Sequence, residues 1–133
     1  PPTACRQALA AAALISDHVA ELNAALAHDL DAPIRFGVGI HGGEVIIGDI
    51  GDHQHRAFTA IGDAVNVAAR LQESSKTLGC EVVVSDHVYR LAGVNHDALL
   101  LQEIALRGRA ETMAVRAADA RGLKAIGQSR VSH

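Results

Sequence analysis

The sequence predicts a single α+β domain. Its N-terminal part has the alanine content and apolar spacing of a long helix. After that part, short runs rich in β-branched residues are separated by glycines, and a second helical pattern lies between them. A chain of 133 residues with 49% apolar and 20% charged residues is long enough to bury a core and is typical of a globular protein.

The first predicted element is a helix over about Thr3–Leu30. Alanine favours helix formation, and the proline of Asp31-Ala32-Pro33 disfavours its continuation. Four aliphatic residues repeat at the spacing i, i+4, i+7, i+11, namely Ile15, Val19, Leu22 and Leu26. This spacing predicts one apolar face on the helix.

Two short apolar runs follow, Ile34–Ile40 and Glu44–Ile47, with Gly42-Gly43 between them. Adjacent glycines between β-rich runs are typical of a tight turn, so we expect a hairpin at this point. The next stretch, Asp49–Phe58, is polar. It predicts a projecting loop or a second hairpin.

A second helix is predicted to begin near Asp63 as its N-cap and to end at Gly79. Val65, Ala68 and Ala69 give this helix an apolar side. It is the shorter and more clearly bounded of the two long helical patterns.

Three strands and a short helix are predicted for the rest of the domain. The strands cover residues 81–85, 99–106 and 113–116, and the helix covers residues 86–92. From residue 120 to 133 the chain lacks periodicity, so we expect a frayed tail after a domain of residues 1–119.

Composition excludes several classes of function. A net charge of −3 and a pI of about 6.2 argue against nucleic-acid binding, as does an aromatic content of 2%. The longest apolar run, Ala8–Ile15, is too short to span a bilayer, so no membrane contact is expected from this segment. Cys5 and Cys80 have no metal or redox spacing, which favours reduced thiols in a cytoplasmic protein.

Two further patterns have simpler explanations than a binding site. Gly37, Gly39 and Gly42 form the pattern GxGxxG, but a strand-forming run follows where a dinucleotide-binding turn needs a helix. Close packing and sharp turning of strands explain these glycines better. The histidine-containing stretch 52–55 could supply metal ligands, yet a solvated polar loop explains it equally well.

Asn66 and Arg70 are four residues apart on the second predicted helix, so their side chains lie on one face. A guanidinium supplies charge and paired hydrogen bonds to phosphate, and an amide can orient a neighbouring hydroxyl. The pair therefore suits an anionic partner. On spacing alone, a solvated surface pair remains the favoured interpretation.

Four blocks of the sequence resemble the class III adenylyl and guanylyl cyclase catalytic domain. The blocks are Gly39–Val45, Gly48–Gly51, Thr59–Leu71 and the late turn Leu106–Arg109. Their order and the distances between them also match the family. The resemblance extends from about residue 8 to residue 116. It implies a ferredoxin-like α+β nucleotidyl cyclase domain that lacks its N-terminal strand or strands.

The resemblance also implies roles for individual residues. Asn66 would orient the ribose, and Arg70 would stabilise charge at the α-phosphate as the 3′-oxygen attacks. Thr59 matches the position that contacts the purine, and Ala60 and Ile61 would adjoin it in the substrate site. A threonine there resembles bacterial adenylyl cyclases, whereas guanylyl cyclases more often carry cysteine.

Arg107 matches the residue that steadies the terminal phosphates. Lysine is common at this position in the family. Arginine keeps the positive charge but replaces a compact ammonium group with a planar guanidinium that can make two parallel hydrogen bonds. The family's metal-binding aspartates have no counterpart in this chain, and we expect Mg²⁺ or Mn²⁺ to be held upstream of it. The chain is therefore expected to be one piece of a larger cytoplasmic protein and inactive by itself.

The function implied by the resemblance is a lyase reaction that converts ATP to cyclic AMP and pyrophosphate. Expected partners are ATP, a second copy of the cyclase domain in a homodimer, and regulatory modules elsewhere in the parent protein. Two alternatives stay open. One is a non-catalytic pseudocyclase that only dimerises and regulates, and the other is a guanylate cyclase.

Overall fold

The computed structural model describes residues 2–43, 46–50, 57–93, 99–105 and 112–119. The elements within these ranges are α1 (Pro2–Ala25), β1 (Val38–Ile40), β2 (Ile46–Ile50), β3 (Ala57–Ile61), α2 (Asp63–Leu78), β4 (Val82–Ser85), α3 (Asp86–Ala92), β5 (Leu100–Ala105) and β6 (Thr112–Ala118). The predicted α+β class is confirmed.

A four-stranded sheet with the order β1-β4-β6-β5 lies at the centre of the described chain. β1 and β4 are parallel, with Val38 opposite Val82, and β6 is antiparallel to both of its neighbours. β2 and β3 form a separate antiparallel hairpin in which Ile50 lies opposite Ala57. The second predicted hairpin is therefore confirmed, although its turn lies outside the described residues.

The hairpin expected at Gly42-Gly43 is wrong. β1, which precedes the glycines, pairs with β4, and β2, which follows them, pairs with β3. The hairpin and α2 together connect β1 to β4, and a connection of this length allows the two strands to run parallel. Two adjacent glycines indicate a change of direction but do not specify which strand becomes the neighbour.

α1 packs through a different face from the apolar face identified in the sequence. Its buried residues are Leu9, Ala12 and Ser16, whereas Ile15 and Leu22 are 43% and 45% exposed. Two of the three buried residues are small, which lets α1 lie close to α3. α1 also ends at Ala25, earlier than predicted.

Alternate residues of β4 face opposite sides of the sheet and divide the core into two clusters. Val82 and Val84 belong to the cluster beneath α1 and α3. Its other buried members are Leu9, Ala12, Val88, Tyr89, Ala92, Leu99 and Ala118. Val83 faces the opposite side, where the buried members are Val67, Leu71 and Val115. α2 is held to the sheet by this second cluster.

The N-cap of α2 lies one residue before the predicted position. Gly62 occupies the N-cap position, and Asp63, the expected cap, lies in the first turn, where its negative charge complements the helix dipole. Gly79 ends the helix as predicted, in the left-handed conformation with φ of 67°.

The buried face of α2 consists of Val67, Leu71 and Ser75. The predicted apolar side was wrong at Val65, which is 37% exposed, and at Ala69, which is exposed, whereas Ala68 is half-buried. Residues spaced i, i+4, i+8 lie along one line of the helix. In α2 this line faces β4 and β6, and the sequence alone does not show which line the sheet selects.

A buried ion-pair network joins α3 to β6. Nε of Arg116 donates to Asp86 at 2.8 Å, Nη1 of Arg116 donates to the carbonyl of Leu99 at 2.7 Å, and the guanidinium lies 5.2 Å from the ring centre of Tyr89. Arg90 contacts the other Asp86 oxygen at 2.7 Å. Burial raises the pKa of Asp86, but the hydrogen bond from Arg116 and the charges of both arginines outweigh this effect and lower it overall.

The predicted strands over 99–106 and 113–116 correspond to β5 and β6, and the predicted helix over 86–92 corresponds to α3. The tail, residues 120–133, lies outside the described residues, so its fraying stays a prediction. In the described ranges, every helix is too short or too polar to cross a membrane.

Candidate active site

The candidate site begins where β3 leads into α2. Thr59, Ala60 and Ile61 are the last three residues of β3, and their backbone positions are fixed by pairing with β2. Gly62 alone separates this strand from the first turn of α2. The predicted purine-contacting segment and the predicted catalytic helix are therefore consecutive elements of one strand–helix unit.

Asn66 and Arg70 lie one turn apart on α2, as the spacing predicts. Asn66 is exposed, and the side chain of Arg70 is 39% exposed. Neither belongs to the buried face of α2, so both side chains are accessible to a ligand. Neither side chain packs in the core, as the roles predicted for Asn66 and Arg70 require.

Arg70 forms an ion pair that sequence reasoning missed. Its Nη1 lies 3.2 Å from a carboxylate oxygen of Glu73, one turn further along α2. The i, i+3 spacing of these opposite charges in the sequence could have indicated the pair. Because both side chains are substantially exposed, the pair contributes little to stability, and a phosphate group can replace the carboxylate.

Two cavities lie elsewhere on the described surface. One of about 730 Å³ lies between α1 and the end of α2 and is lined by residues that include Asn23, Arg35 and Lys76. The other, of about 390 Å³, includes Ser85 and Arg90 in its lining. Asn66 and Arg70 line neither of these two cavities.

Arg107 and the stretch 52–55 lie outside the described residues, so their predicted roles stay predictions. Among the residues that are described, no three His, Cys, Asp or Glu side chains come together to hold a metal ion. Within these ranges the chain thus offers no three-ligand site for a divalent ion.

The two cysteines form no disulfide bond. Cys5 and Cys80 are both free and half-buried. Burial raises the pKa of the Cys80 thiol, and the nearby charges of Glu81 and Asp119 raise it further. A raised pKa keeps the thiol protonated near neutral pH, which lowers its reactivity.

The family model of the adenylate and guanylate cyclase catalytic domain matches residues 3–117. The chain belongs to this family. The match contains the β3–α2 unit and nearly all of α1 and of the four-stranded sheet, so Asn66 and Arg70 lie well within it.

Two curated proteins that are similar to part of this chain are adenylate cyclases. Residues of this chain are 42% identical over 57 positions to adenylate cyclase from Anabaena cylindrica, which covers 43% of this chain and 11% of that protein. They are 35% identical over 85 positions to adenylate cyclase 1 from Rhizobium meliloti, covering 64% and 12%. The chain thus spans only a small part of the curated relatives it matches.

Solved structures show the same fold. The guanylyl cyclase Cya2 superposes with a TM-score of 0.71 at 20% identity, over 85% of this chain and 56% of that one. The adenylyl cyclase CyaB from P. aeruginosa gives 0.68 at 21% identity, over 86% and 59%. The predicted cyclase-type α+β fold is confirmed, and the superposition covers rather more than half of each solved chain.

Proposed function

We propose that the protein containing this chain is an adenylate cyclase that converts ATP to cyclic AMP and pyrophosphate. The observation that carries the proposal is the placement of Asn66 and Arg70, one turn apart on the accessible face of α2 and directly after β3. Two curated relatives with the matching segment are adenylate cyclases, which supports ATP over GTP. Thr59 on β3 supports the same base.

In this reaction a bond forms between the ribose 3′-oxygen and the α-phosphorus, and the bond from that phosphorus to the pyrophosphate oxygen breaks. Negative charge develops on the α-phosphoryl oxygens during the attack. Arg70, with a charged donor that is already held on a rigid helix, would stabilise that charge. Asn66, one turn earlier, would hold the ribose so that the 3′-oxygen faces the phosphorus.

Two parts of the proposal involve groups outside the described residues. Mg²⁺ or Mn²⁺ would supply charge neutralisation of the triphosphate and would be bound by other parts of the protein. Because the side chains of Asn66 and Arg70 are accessible on one chain, a second surface opposite α2 would enclose the nucleotide. A second copy of the domain, in a homodimer, would supply that surface.

The test is substitution of the two residues in the full-length gene product. Asn66→Ala and Arg70→Ala should each lower kcat by on the order of 100-fold while changing KM far less, because both groups act on charge and geometry that arise during attack. Thr77→Ala, on an exposed position of the same helix, is the matched control and should retain wild-type turnover.

Cyclic AMP formation and the unfolding temperature are measured for each variant. A loss that falls wholly on KM, or unchanged turnover in both variants, contradicts the assigned roles. A wild-type protein that makes no cyclic AMP from ATP contradicts the proposed function itself.

A further inference from the structure

The backbone of β1 lies directly against the backbone of α2. A Cβ added to Gly39 would overlap the carbonyl oxygen of Ala68 and would lie 2.5 Å from the amide nitrogen of Gln72. Both atoms belong to the α2 main chain, so no change of side-chain conformation relieves the overlap. The helix and the strand are therefore as close as a glycine allows at this point.

This contact differs from those of the neighbouring glycines. A Cβ on Gly37 would meet side-chain atoms first, Oγ of Ser75 at 2.5 Å and Nε2 of Gln72 at 3.0 Å. A Cβ on Gly42 would approach only a methyl group of Val88 at 3.3 Å, away from α2. Each of these neighbours can be accommodated by side-chain movement, whereas Gly39 meets fixed backbone.

The close contact lies opposite the candidate catalytic face. Ala68 is two residues from Asn66 and two from Arg70, which places it on the other side of the helix. Any displacement of α2 away from β1 at Ala68 therefore moves Asn66 and Arg70 outward together. At this contact the distance between the two main chains limits how close the catalytic pair lies to the sheet.

We propose that Gly39 is a positioning residue for the cyclase reaction. The absence of its side chain lets α2 sit at the height at which Asn66 and Arg70 reach the nucleotide, and the inference rests on the function proposed above. Restoring ordinary contact after adding a methyl group at Gly39 requires α2 to move by about 1 Å. A displacement of that size typically costs about 100-fold in rate.

The experiment compares Gly39→Ala with Gly42→Ala in the full-length gene product, with kcat and KM for ATP measured per folded protein. Circular dichroism at the assay temperature gives the folded fraction. Gly39→Ala should lower kcat by about 100-fold with KM within about threefold of wild type, because nucleotide binding tolerates a displaced helix better than transition-state alignment does. Gly42→Ala should keep wild-type kcat.

A second pair of variants serves if Gly39→Ala does not fold. A Cβ on Gly43 would lie 2.9 Å from the Cβ of Ala64, in the first turn of α2. Gly43→Ala should therefore displace the beginning of α2 and lower kcat. The double variant Gly43→Ala with Ala64→Gly removes the clashing methyl group and should restore kcat to within about threefold of wild type.

The outcomes separate this inference from the proposed function. Wild-type turnover in folded Gly39→Ala overturns the positioning role while leaving the cyclase assignment intact. A loss that appears only in KM, or a Gly43→Ala defect that Ala64→Gly does not rescue, also overturns it. Absence of cyclase activity in the wild-type protein overturns both.

Discussion

Asp86→Asn should strongly destabilise this domain, although it changes the side chain very little in size. The substitution keeps the shape of the side chain but removes the charge that holds Arg116 and Arg90. The Asp86 side chain is 6% exposed and that of Arg116 is 12% exposed, so water cannot replace the lost carboxylate. Arg90 is 64% exposed and is readily solvated when the carboxylate is gone.

The expected loss of unfolding free energy follows from the difference in exposure between Arg116 and Arg90. Removing one partner of a buried ion pair typically costs 3–5 kcal/mol. Arg116 keeps its hydrogen bond to the Leu99 carbonyl at 2.7 Å, so we expect the lower end, about 3 kcal/mol. The matched control is Arg90→Ala, which removes an exposed partner of the same carboxylate and should cost less than about 1 kcal/mol.

The assay is urea denaturation followed by far-UV circular dichroism at several pH values. The folded-state pKa of Asp86 lies below its ordinary value of 3.8. The carboxylate therefore contributes stability that is fully present above that ordinary value and is lost as the pH falls through the folded pKa. The difference in unfolding free energy between wild type and Asp86→Asn should be constant near neutral pH and should shrink in acid. Equal stability of the two proteins at pH 7, or a difference that persists unchanged into acid, refutes the reasoning.

Two further predictions concern activity. The isolated 133-residue chain, supplied with ATP and Mn²⁺, should make no cyclic AMP, because the metal-binding aspartates that the resemblance implies have no counterpart in its sequence; cyclic AMP above background contradicts this. The full-length protein should prefer ATP to GTP, since a hydrogen-bonding site matched to one base leaves polar groups unpaired with the other. Competition assays measure the preference, and a higher kcat/KM for GTP would show that Thr59 does not select adenine.

Local features of the candidate site were predictable because they depend on residues close in sequence. The i, i+4 spacing of Asn66 and Arg70 fixes their shared face once a helix forms. Gly79 ends that helix because it adopts a left-handed conformation that other residues disfavour. The strand over 81–85 and the helix over 86–92 were likewise set by short apolar runs.

Features that depend on distant residues were not predictable. Which line of α2 is buried depends on β4 and β6, and the sequence pattern incorrectly favoured Val65 and Ala69, which are exposed. In α1 the aliphatic pattern of Ile15 and Leu22 was real, but small residues on another face allowed closer packing on α3. Spacing also gave no reason to connect Asp86 with Arg116, which are thirty residues apart.

By itself, the sequence determined the positions of the helices and most strands, the accessible pair on α2 and the family that the chain resembles. Only the tertiary structure decided that β1 pairs with β4 and that the main chain of α2 rests on Gly39. Periodicity and capping act within a few residues, so a single chain segment specifies them. Strand partners and helix heights depend on which distant surfaces exclude water together, and that is settled only when the whole domain packs.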